Sequence, residues 1–596
     1  MQKGNLTAGF NDAPPQWARE AIWYQIFVER FRRGNKKNDP TQATCDKALI
    51  DPIPGDWSVT PWSHNWYAQE DWAKNTGLDF YRTVQMRRYG GDLDGVIEKI
   101  PYLVDLGITA VYFNPLNDAP SLHKYDVRHY HHIDITFGDD PDGDSRMMQT
   151  EQPDDPTTWL WTSADLKFLQ VVRLLHSHNI KVIVDFSWNH TGITFWAFKD
   201  LNIKLSASNY KEWYNIQFVK DQYGNKEQLL YSGWEGISTL PELKKMSATK
   251  KVPGKPYEGN LSEPVKKHIF DVCMKWMDPH GDGTCRDGID GMRLDVAEHI
   301  PLGFWRELRK FVKNINSEFY MVGENWWEQW PHKLMDTTPW VNTGIFDAVM
   351  HYQWFKLARG FFLKGDDAVS LEAFKFGIDG LFKKFPLSSQ QAMMNVAASH
   401  DTPRIWTSFQ NRNVYKYKCK PSEDAKYNTK PPSKSVEQLV KLFLLHQFTF
   451  IGAPHIWNGD EMGMVGADDP DNRKPLWWDD IVFEPETAYQ GSAESYTFIP
   501  EVKNSYIDFY KRLIGLRKEN PVLSQGDYSF FDGETSLLIY SRKTDIATIF
   551  VIINTQNSSQ QLPQSVVDGT IIFCTEGRDQ PLNGTMPPMS GIVIQQ

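Results

Sequence analysis

Short apolar runs rich in β-branched and aromatic residues alternate, from residue 21 to about 480, with longer stretches whose apolar positions recur at helical intervals. The strand-like runs are Ala21–Phe27, Ala110–Pro115, Lys181–Phe186, Gly291–Val296, Phe319–Glu324, Ala348–Gln353, Met393–Ser399 and His455–Glu461. Between them, Leu93–Gly107 spaces its apolar residues three and four apart and stops at a glycine, and Leu166–Asn179 behaves in the same way. This alternation predicts a parallel sheet with helices outside, and eight strands are the number that closes a (β/α)8 TIM barrel, an α/β fold. A long irregular stretch, 191–262, interrupts the pattern after the third strand. After about residue 515 the character changes: 526–531, 536–542, 547–554 and 571–574 are short strands separated by turn residues, which predicts a small antiparallel β-sandwich.

Composition narrows the function classes. The 596 residues are 41% hydrophobic and 23% charged, as in a folded globular protein, and the net charge of −11 argues against a nucleic-acid surface. No apolar run approaches the roughly 20 residues of a membrane helix. The start, Met-Gln-Lys-Gly-Asn-Leu-Thr, lacks the apolar centre of a signal peptide. Two readings follow: a cytoplasmic protein, or a mature periplasmic or secreted form whose signal has been removed. Cys45, Cys273, Cys285, Cys419 and Cys574 are few, odd in number and without metal-type spacing. Free thiols are the favoured reading, with a Cys273–Cys285 pair as the alternative. The 23 tryptophans matter because aromatic faces stack on sugar rings, although most large aromatics fill a core. For Trp326, Trp327 and the group Trp57, Trp62, Trp66 and Trp72 both readings stay open. The acidic segment 139–158 lacks the glutamate spacing of an EF-hand and reads as a solvated loop rather than a calcium site.

The chemistry lies in carboxylates that end apolar runs. Asp295 closes Gly-Met-Arg-Leu-Asp, Glu324 follows Met-Val-Gly, Asp401 follows Ala-Ser-His, and Asp185-Phe-Ser-Trp-Asn189-His190 follows Lys-Val-Ile-Val. These are the carboxyl ends of predicted strands three, four, five and seven, where such barrels build their sites. Hydrolysis of a glycosidic bond with retention needs one carboxylate as nucleophile and a second as acid and then base. Arg293 shares a strand face with Asp295, and its charge is expected to lower that carboxyl's pKa. Glu324 precedes two tryptophans, and apolar surroundings are expected to raise its pKa. Taken singly, each residue could equally be a strand-end acid in a salt bridge.

Together the four segments resemble the four conserved regions of the α-amylase superfamily, glycoside hydrolase family 13, in the family's order. The resemblance implies Asp295 as nucleophile, Glu324 as acid/base and Asp401 as the third carboxylate, bound to sugar hydroxyls. It implies substrate contacts for Tyr125, Asp126, His190, Arg293, Glu298, His299, Trp327, His400, Asp469 and Arg473. The run Gly466-Ala-Asp-Asp469-Pro-Asp-Asn-Arg473 is similar to that of cyclomaltodextrinases and neopullulanases, whereas Val-Ala-Glu298-His299 carries a histidine where many α-amylases do. The domains implied are the barrel (1–190 with 263–515), an inserted domain B (191–262) holding Leu240-Pro-Glu-Leu-Lys, and a C-terminal domain C (516–596), without the amino-terminal β-domain of many cyclomaltodextrinases. Relatives also hold a structural calcium ion, here matched by Asn35, Asn38, Asp39, Gly90 and Asp92, with Arg33 departing from the pattern; its guanidinium either weakens the site or replaces the ion. The expected activity is retaining hydrolysis of α-1,4 bonds in malto-oligosaccharides, cyclodextrins, pullulan or starch. The alternatives are a transglycosylase or a sucrose- or trehalose-acting member, and a non-catalytic sugar-binding relative. Oligomeric state and chain-length preference stay open.

Overall fold

The computed structural model describes residues 13–46, 51–220, 227–566, 568–577 and 584–596; the signal-peptide reading of the first residues falls outside them. Eight parallel strands form the centre: β1 (Trp23–Ile26), β2 (Ala110–Phe113), β3 (Lys181–Phe186), β4 (Gly291–Leu294), β5 (Tyr320–Gly323), β6 (Ala348–Val349), β7 (Met394–Asn395) and β8 (Ala453–Trp457). They pair in the order β6-β5-β4-β3-β2-β1-β8-β7, and a parallel bridge from Met350 to Met394 joins the two ends into a barrel. Pairing sets Arg293 of β4 level with Asp185 of β3 and Val322 of β5. That register stacks charged side chains in one layer near the carboxyl end of the barrel.

The helices outside carry the expected signals. Asp92 caps α1 (Leu93–Leu106) by accepting from the Gly95 amide at 2.7 Å. Thr162 and Asp165 form a reciprocal capping box on α2 (Ser163–Ser177). α3 (Glu263–Met277) and α4 (Leu302–Ile315) follow in the second half of the barrel.

Several expected boundaries move. The sixth strand is only two residues long because Tyr352 opens a helix, α5 (Tyr352–Leu363), whose Trp354, Phe355, Ala358 and Phe362 are buried at helical spacing. The seventh strand likewise stops at Asn395. The eighth begins at Ala453 and ends before Asn458-Gly459, where Gly459 takes φ +94°.

The acidic segment 139–158 is not a solvated loop. Asp140 caps a short helix, Pro141–Met148, and the buried Asp144 accepts from the Ser163 amide and hydroxyl at 2.7 and 2.8 Å. Trp57, Trp62, Trp66 and Trp72 are all buried; Trp66 donates to Asp471 at 2.9 Å and Trp62 to the Leu476 carbonyl at 2.9 Å. Core filling is therefore their role. All five cysteines are free, so Cys273 and Cys285 do not pair.

At the C-terminal end, β9 (Asp527–Phe530), β10 (Leu538–Lys543), β11 (Thr548–Asn554), β12 (Thr570–Cys574) and β13 (Ser590–Gln595) form one antiparallel sheet in the order β9-β10-β11-β13-β12. Strand alternation divides its side chains. Leu538, Tyr540, Val551 and Val593 join the barrel's core, while Ile539, Ile552, Ile592 and Ile594 form a second small core with Leu562 and Met586. The outer layer of this sandwich is a two-residue ribbon, Gln560–Gln561 with Thr585–Met586. Among the described residues no helix is long and apolar enough to cross a membrane.

Candidate active site

A cleft of about 1040 Å³ opens at the carboxyl ends of the strands. Asp295 lies just past β4, Glu324 just past β5 and Asp401 beyond β7, and all three line the cleft. The stretch 191–262 forms one wall. It contains a helix (Trp196–Lys204), a hairpin (Ile216–Lys220 with Glu227–Tyr231) and a ribbon (Lys245–Ser247 with Gly259–Leu261). It is stitched to the barrel where the Leu243 amide donates to the Asn189 carbonyl at 3.0 Å and the Gly192 amide to the Val127 carbonyl at 3.0 Å.

Arg293, fully buried, organises the centre. One terminal nitrogen donates to Asp295 Oδ1 at 2.7 Å and to both oxygens of Asp185 at 3.0 Å. The other stands 2.8 Å from Glu324 Oε1, an ion-pair approach rather than an aligned hydrogen bond. Glu324 Oε2 accepts from the Val296 amide at 3.1 Å. Asp185 is in turn held by the hydroxyls of Tyr112 (2.7 Å) and Tyr125 (2.8 Å).

One cation thus serves three buried carboxylates, and the consequence is electrostatic. Burial raises the Asp295 pKa to about 6; Arg293 pulls it down but Asp185 offsets part of that pull. Arg293 does pull this carboxyl down as expected, but burial outweighs it and the net shift is upward. Burial also raises Glu324 well above the carboxylate range, with Asp295 and Asp401 adding repulsion against Arg293.

Asp401 differs. Burial disfavours its charge, but His400 and Arg473 more than offset this and hold it well below the usual carboxylate range. His400 Nε2 lies 2.9 Å from Asp401 Oδ2, and Arg473 donates to Oδ1 at 2.9 Å. Arg473 also donates to the His400 carbonyl at 2.7 Å and pairs with Asp469 at 3.1 Å. The His400 ring is fixed by Gln25 (2.8 Å to Nδ1) and by the Tyr125 hydroxyl (2.7 Å to Nε2).

Tyr125, His190, Glu298, His299, Trp327, Asp469 and Arg473 all line the same cleft. Asp126 does not. It is buried behind Tyr125, where its carboxylate accepts from the Ser121 hydroxyl and amide and holds the loop's shape. Burial lowers His190 to about 3 and His299 to about 4, so both imidazoles are neutral donors or acceptors.

Two cleft residues escaped sequence reasoning. Trp234 of the inserted stretch stacks on His190 at 5.1 Å and donates to His299 Nδ1 at 3.3 Å. Its only signal was a Gly-Trp-Glu-Gly turn. Lys416 donates to the Asp401 carbonyl, pairs with Asp468 at 2.6 Å and lies 5.3 Å over the Trp326 ring. It sits in a Lys-Tyr-Lys-Cys-Lys run that resembles solvated surface. Trp326 stacks on Tyr352 at 4.2 Å, so it supports the cleft floor.

The early loop does not fit a calcium ion. Arg33 donates to Asp39 Oδ1 at 2.8 Å and engages Oδ2 as well, which occupies the carboxylate that would face a cation. Asp92 accepts from the amides of Gly34, Asn35 and Gly95. Asn35 Oδ1 accepts from the Lys37 amide, and the Asn38 amide donates to the Gly138 carbonyl at 2.7 Å. Gly90, at φ +74°, packs against Asp39 and Arg33, where any Cβ would lie 2.6 Å from the Asp39 oxygen. Of the predicted side-chain donors only Asn38 Oδ1 is buried without a partner, too few side-chain oxygens for a hard ion that takes 6–8.

The α-amylase catalytic-domain model matches residues 25–154 and 162–526. The chain belongs to the α-amylase family. It is 30% identical over 591 residues to neopullulanase 2 of Thermoactinomyces vulgaris, covering 97% of this chain and 78% of that protein. It is 31% identical over 556 residues to a cyclomaltodextrinase of Geobacillus thermopakistaniensis, covering 93% and 71%. Among solved structures, the type III pullulan hydrolase from Thermococcus kodakarensis shares the fold at a TM-score of 0.68 and 23% identity, covering 99% of this chain and 83% of that one. This member of the α-amylase family is a glycoside hydrolase similar to cyclomaltodextrinases and neopullulanases.

Proposed function

We propose that the chain cleaves α-1,4 bonds with retention, Asp295 attacking the anomeric carbon while Glu324 protonates the departing oxygen. Water deprotonated by Glu324 then releases the glycosyl-enzyme. The observation that carries this reading is the single Arg293 guanidinium touching both carboxylates. One fork reaching both suits the roughly 5–5.5 Å separation of a nucleophile and an acid/base, rather than the wider gap that admits a water in inverting enzymes. The raised Glu324 arrives protonated, as an acid must. Asp401, kept ionised by His400 and Arg473, suits a lasting acceptor for sugar hydroxyls.

Short or cyclic α-glucans are the favoured substrates. The relatives named above support this, and so does the cleft rim. Lys255 pairs with Glu328 at 2.6 Å, and Gly254 lies so close that a Cβ would meet the Glu328 carbonyl at 2.0 Å. Domain B and the segment after β5 are thereby locked together, walling the cleft beside Trp327 and Trp330. Product analysis on maltoheptaose, β-cyclodextrin, pullulan and soluble starch tests this. Faster cleavage of the ring and pullulan than of starch is expected. Rapid loss of starch viscosity with little ring opening would overturn it.

At the early loop we infer that Arg33 replaces the calcium ion of relatives. Millimolar calcium is then expected to leave the Tm unchanged, and to raise it only in Arg33→Asp, where three carboxylates would converge without a cation. An equal rise in the unaltered protein would refute the replacement.

A further inference from the structure

Outside the cleft, His131, His132 and Glu151 bring two imidazole nitrogens and a carboxylate oxygen within 4.8 Å of one another. We propose that these three residues bind a divalent transition-metal ion of the zinc class, which ties the excursion between β2 and α2 together beneath domain B.

The geometry favours a cation over a set of hydrogen bonds. His131 and His132 are consecutive on a strand (His129–Ile133), where side chains ordinarily point to opposite faces. Here their ring centroids are 4.4 Å apart, and the pairing of this strand shifts register. Both Nε2 atoms face one oxygen, Glu151 Oε2, at 3.3 Å from His131 and 2.9 Å from His132. Zinc bonds imidazole nitrogen and carboxylate oxygen at roughly 2.0–2.2 Å, which puts tetrahedral ligands roughly 3.3–3.5 Å apart.

The surroundings fix each donor. His132 Nδ1 lies 2.8 Å from Asp165 Oδ2, and a carboxylate in that place orients a metal-binding histidine. An ionised carboxylate only accepts, so Nδ1 carries a proton and leaves Nε2, which faces Glu151, as the ring's ligand atom. Between Nε2 and Oε2, 2.9 Å apart, there is room for a proton or, with a small movement of either group, for a metal ion. Glu151 Oε1 is held by the Leu160 amide at 2.6 Å, which aims Oε2 at the rings. The His131 ring stacks on Trp159 at 4.2 Å. The fourth position falls to water or to His268, whose Nε2 is buried without a partner and whose ring is 5.8 Å from that of His131.

The site has a structural consequence for the cleft. Tyr130, between His129 and His131, donates to the Ser187 and His190 carbonyls at 2.7 Å each. An ion at His131 and His132 would stiffen the strand that seats His190.

The test uses the whole protein, stripped with a chelator, reloaded with Zn²⁺ and desalted, with metal counted by mass spectrometry. One zinc per chain is expected, with a higher Tm than the stripped form and tetrahedral visible bands after Co²⁺ loading. Glu151→Gln keeps the Leu160 contact, and His131→Phe keeps the stack on Trp159. Each should lose the zinc and the zinc-dependent Tm rise. Should either variant misfold, the cobalt spectrum of the unaltered chain still decides. No retained zinc, or equal zinc in the unaltered chain and both variants, would overturn the site and make His132 a doubly protonated bridge between Asp165 and Glu151.

Discussion

Two corners of one cleft treat the same functional group in opposite ways. At the ends of β3, β4 and β5, Asp185, Asp295 and Glu324 share a single arginine, and the pKa values of the last two carboxyls are raised. Beyond β7, Asp401 meets Arg473 and His400, and its charge is locked on. Asp401 is the more exposed, at 28% against 10% for Asp295 and 7% for Glu324, and it also meets more positive charge per carboxylate; both differences favour its ionised form. A retaining glycosidase needs one carboxyl that exchanges a proton, here Glu324, beside a nucleophile and a sugar-binding carboxylate that react and bind as anions.

The largest break in the comparison is removal of the acid/base or the nucleophile. Glu324→Gln should lower kcat by about 10²–10⁴-fold, the usual worth of a general acid–base. Asp295→Asn should lower it at least as far, because no other carboxylate is placed to form the covalent intermediate. Steady-state kinetics on maltoheptaose checks both, and an Asp295→Asn variant with full activity would remove the proposed nucleophile.

A pH profile sharpens the comparison with a smaller effect. Asp295 must be ionised to attack, so kcat/KM should fall on the acid side as pH drops through about 6, tenfold per unit. Asp401 stays ionised throughout that range and should add nothing to the slope. On the alkaline side kcat/KM should fall as Glu324 loses the proton it must donate. A slope of two on the acid limb would mean that Asp401 titrates with Asp295, and the two corners would not be distinct.

Arg473→Met attacks the other corner. It leaves Asp401 with His400 alone and Asp469 with no charged partner. A rise in KM of about tenfold, from a misplaced acceptor for sugar hydroxyls, with a lesser change in kcat is expected. A kcat loss as large as that of Glu324→Gln would place Arg473 in the reaction itself.

Much of this division was legible along the chain and part was not. The eight strand-like runs and their terminal carboxylates locate the barrel and Asp295, Glu324 and Asp401, because strand period and barrel geometry are local rules. The net pKa of Asp295 was misread since the sequence shows Arg293 two residues away but neither the depth of burial nor Asp185 on the neighbouring β3. Asp126 looked like a cleft residue from its neighbour Tyr125, yet adjacent loop side chains need not share a direction. Trp234 and Lys416 reach the cleft from an inserted stretch and a long loop, where no periodicity reports which way a side chain faces. The buried tryptophans near residue 60 were ambiguous for the same reason: stacking on sugar and packing in a core use the same apolar face.

The smallest expected effect concerns Glu298, which belongs to the proton-holding corner without an arginine of its own. Its Oε2 is buried without a partner, and burial together with repulsion from Glu324 raises its pKa to about 8. A carboxyl whose pKa is raised by folding binds its proton more tightly in the native state. It therefore stabilises fully below the unfolded value, roughly 4.3, and that contribution is lost as pH rises through about 8. Glu298→Gln removes this penalty while keeping shape, so its Tm should exceed that of the unaltered protein by about 1–2 °C at pH 9, where the glutamate would be charged, and match it near pH 5. Thermal melts at the two pH values measure the difference directly. A gap of the same size at both would trace the gain to packing, and Glu298 would then have to be moved from the proton-holding corner to the ionised one.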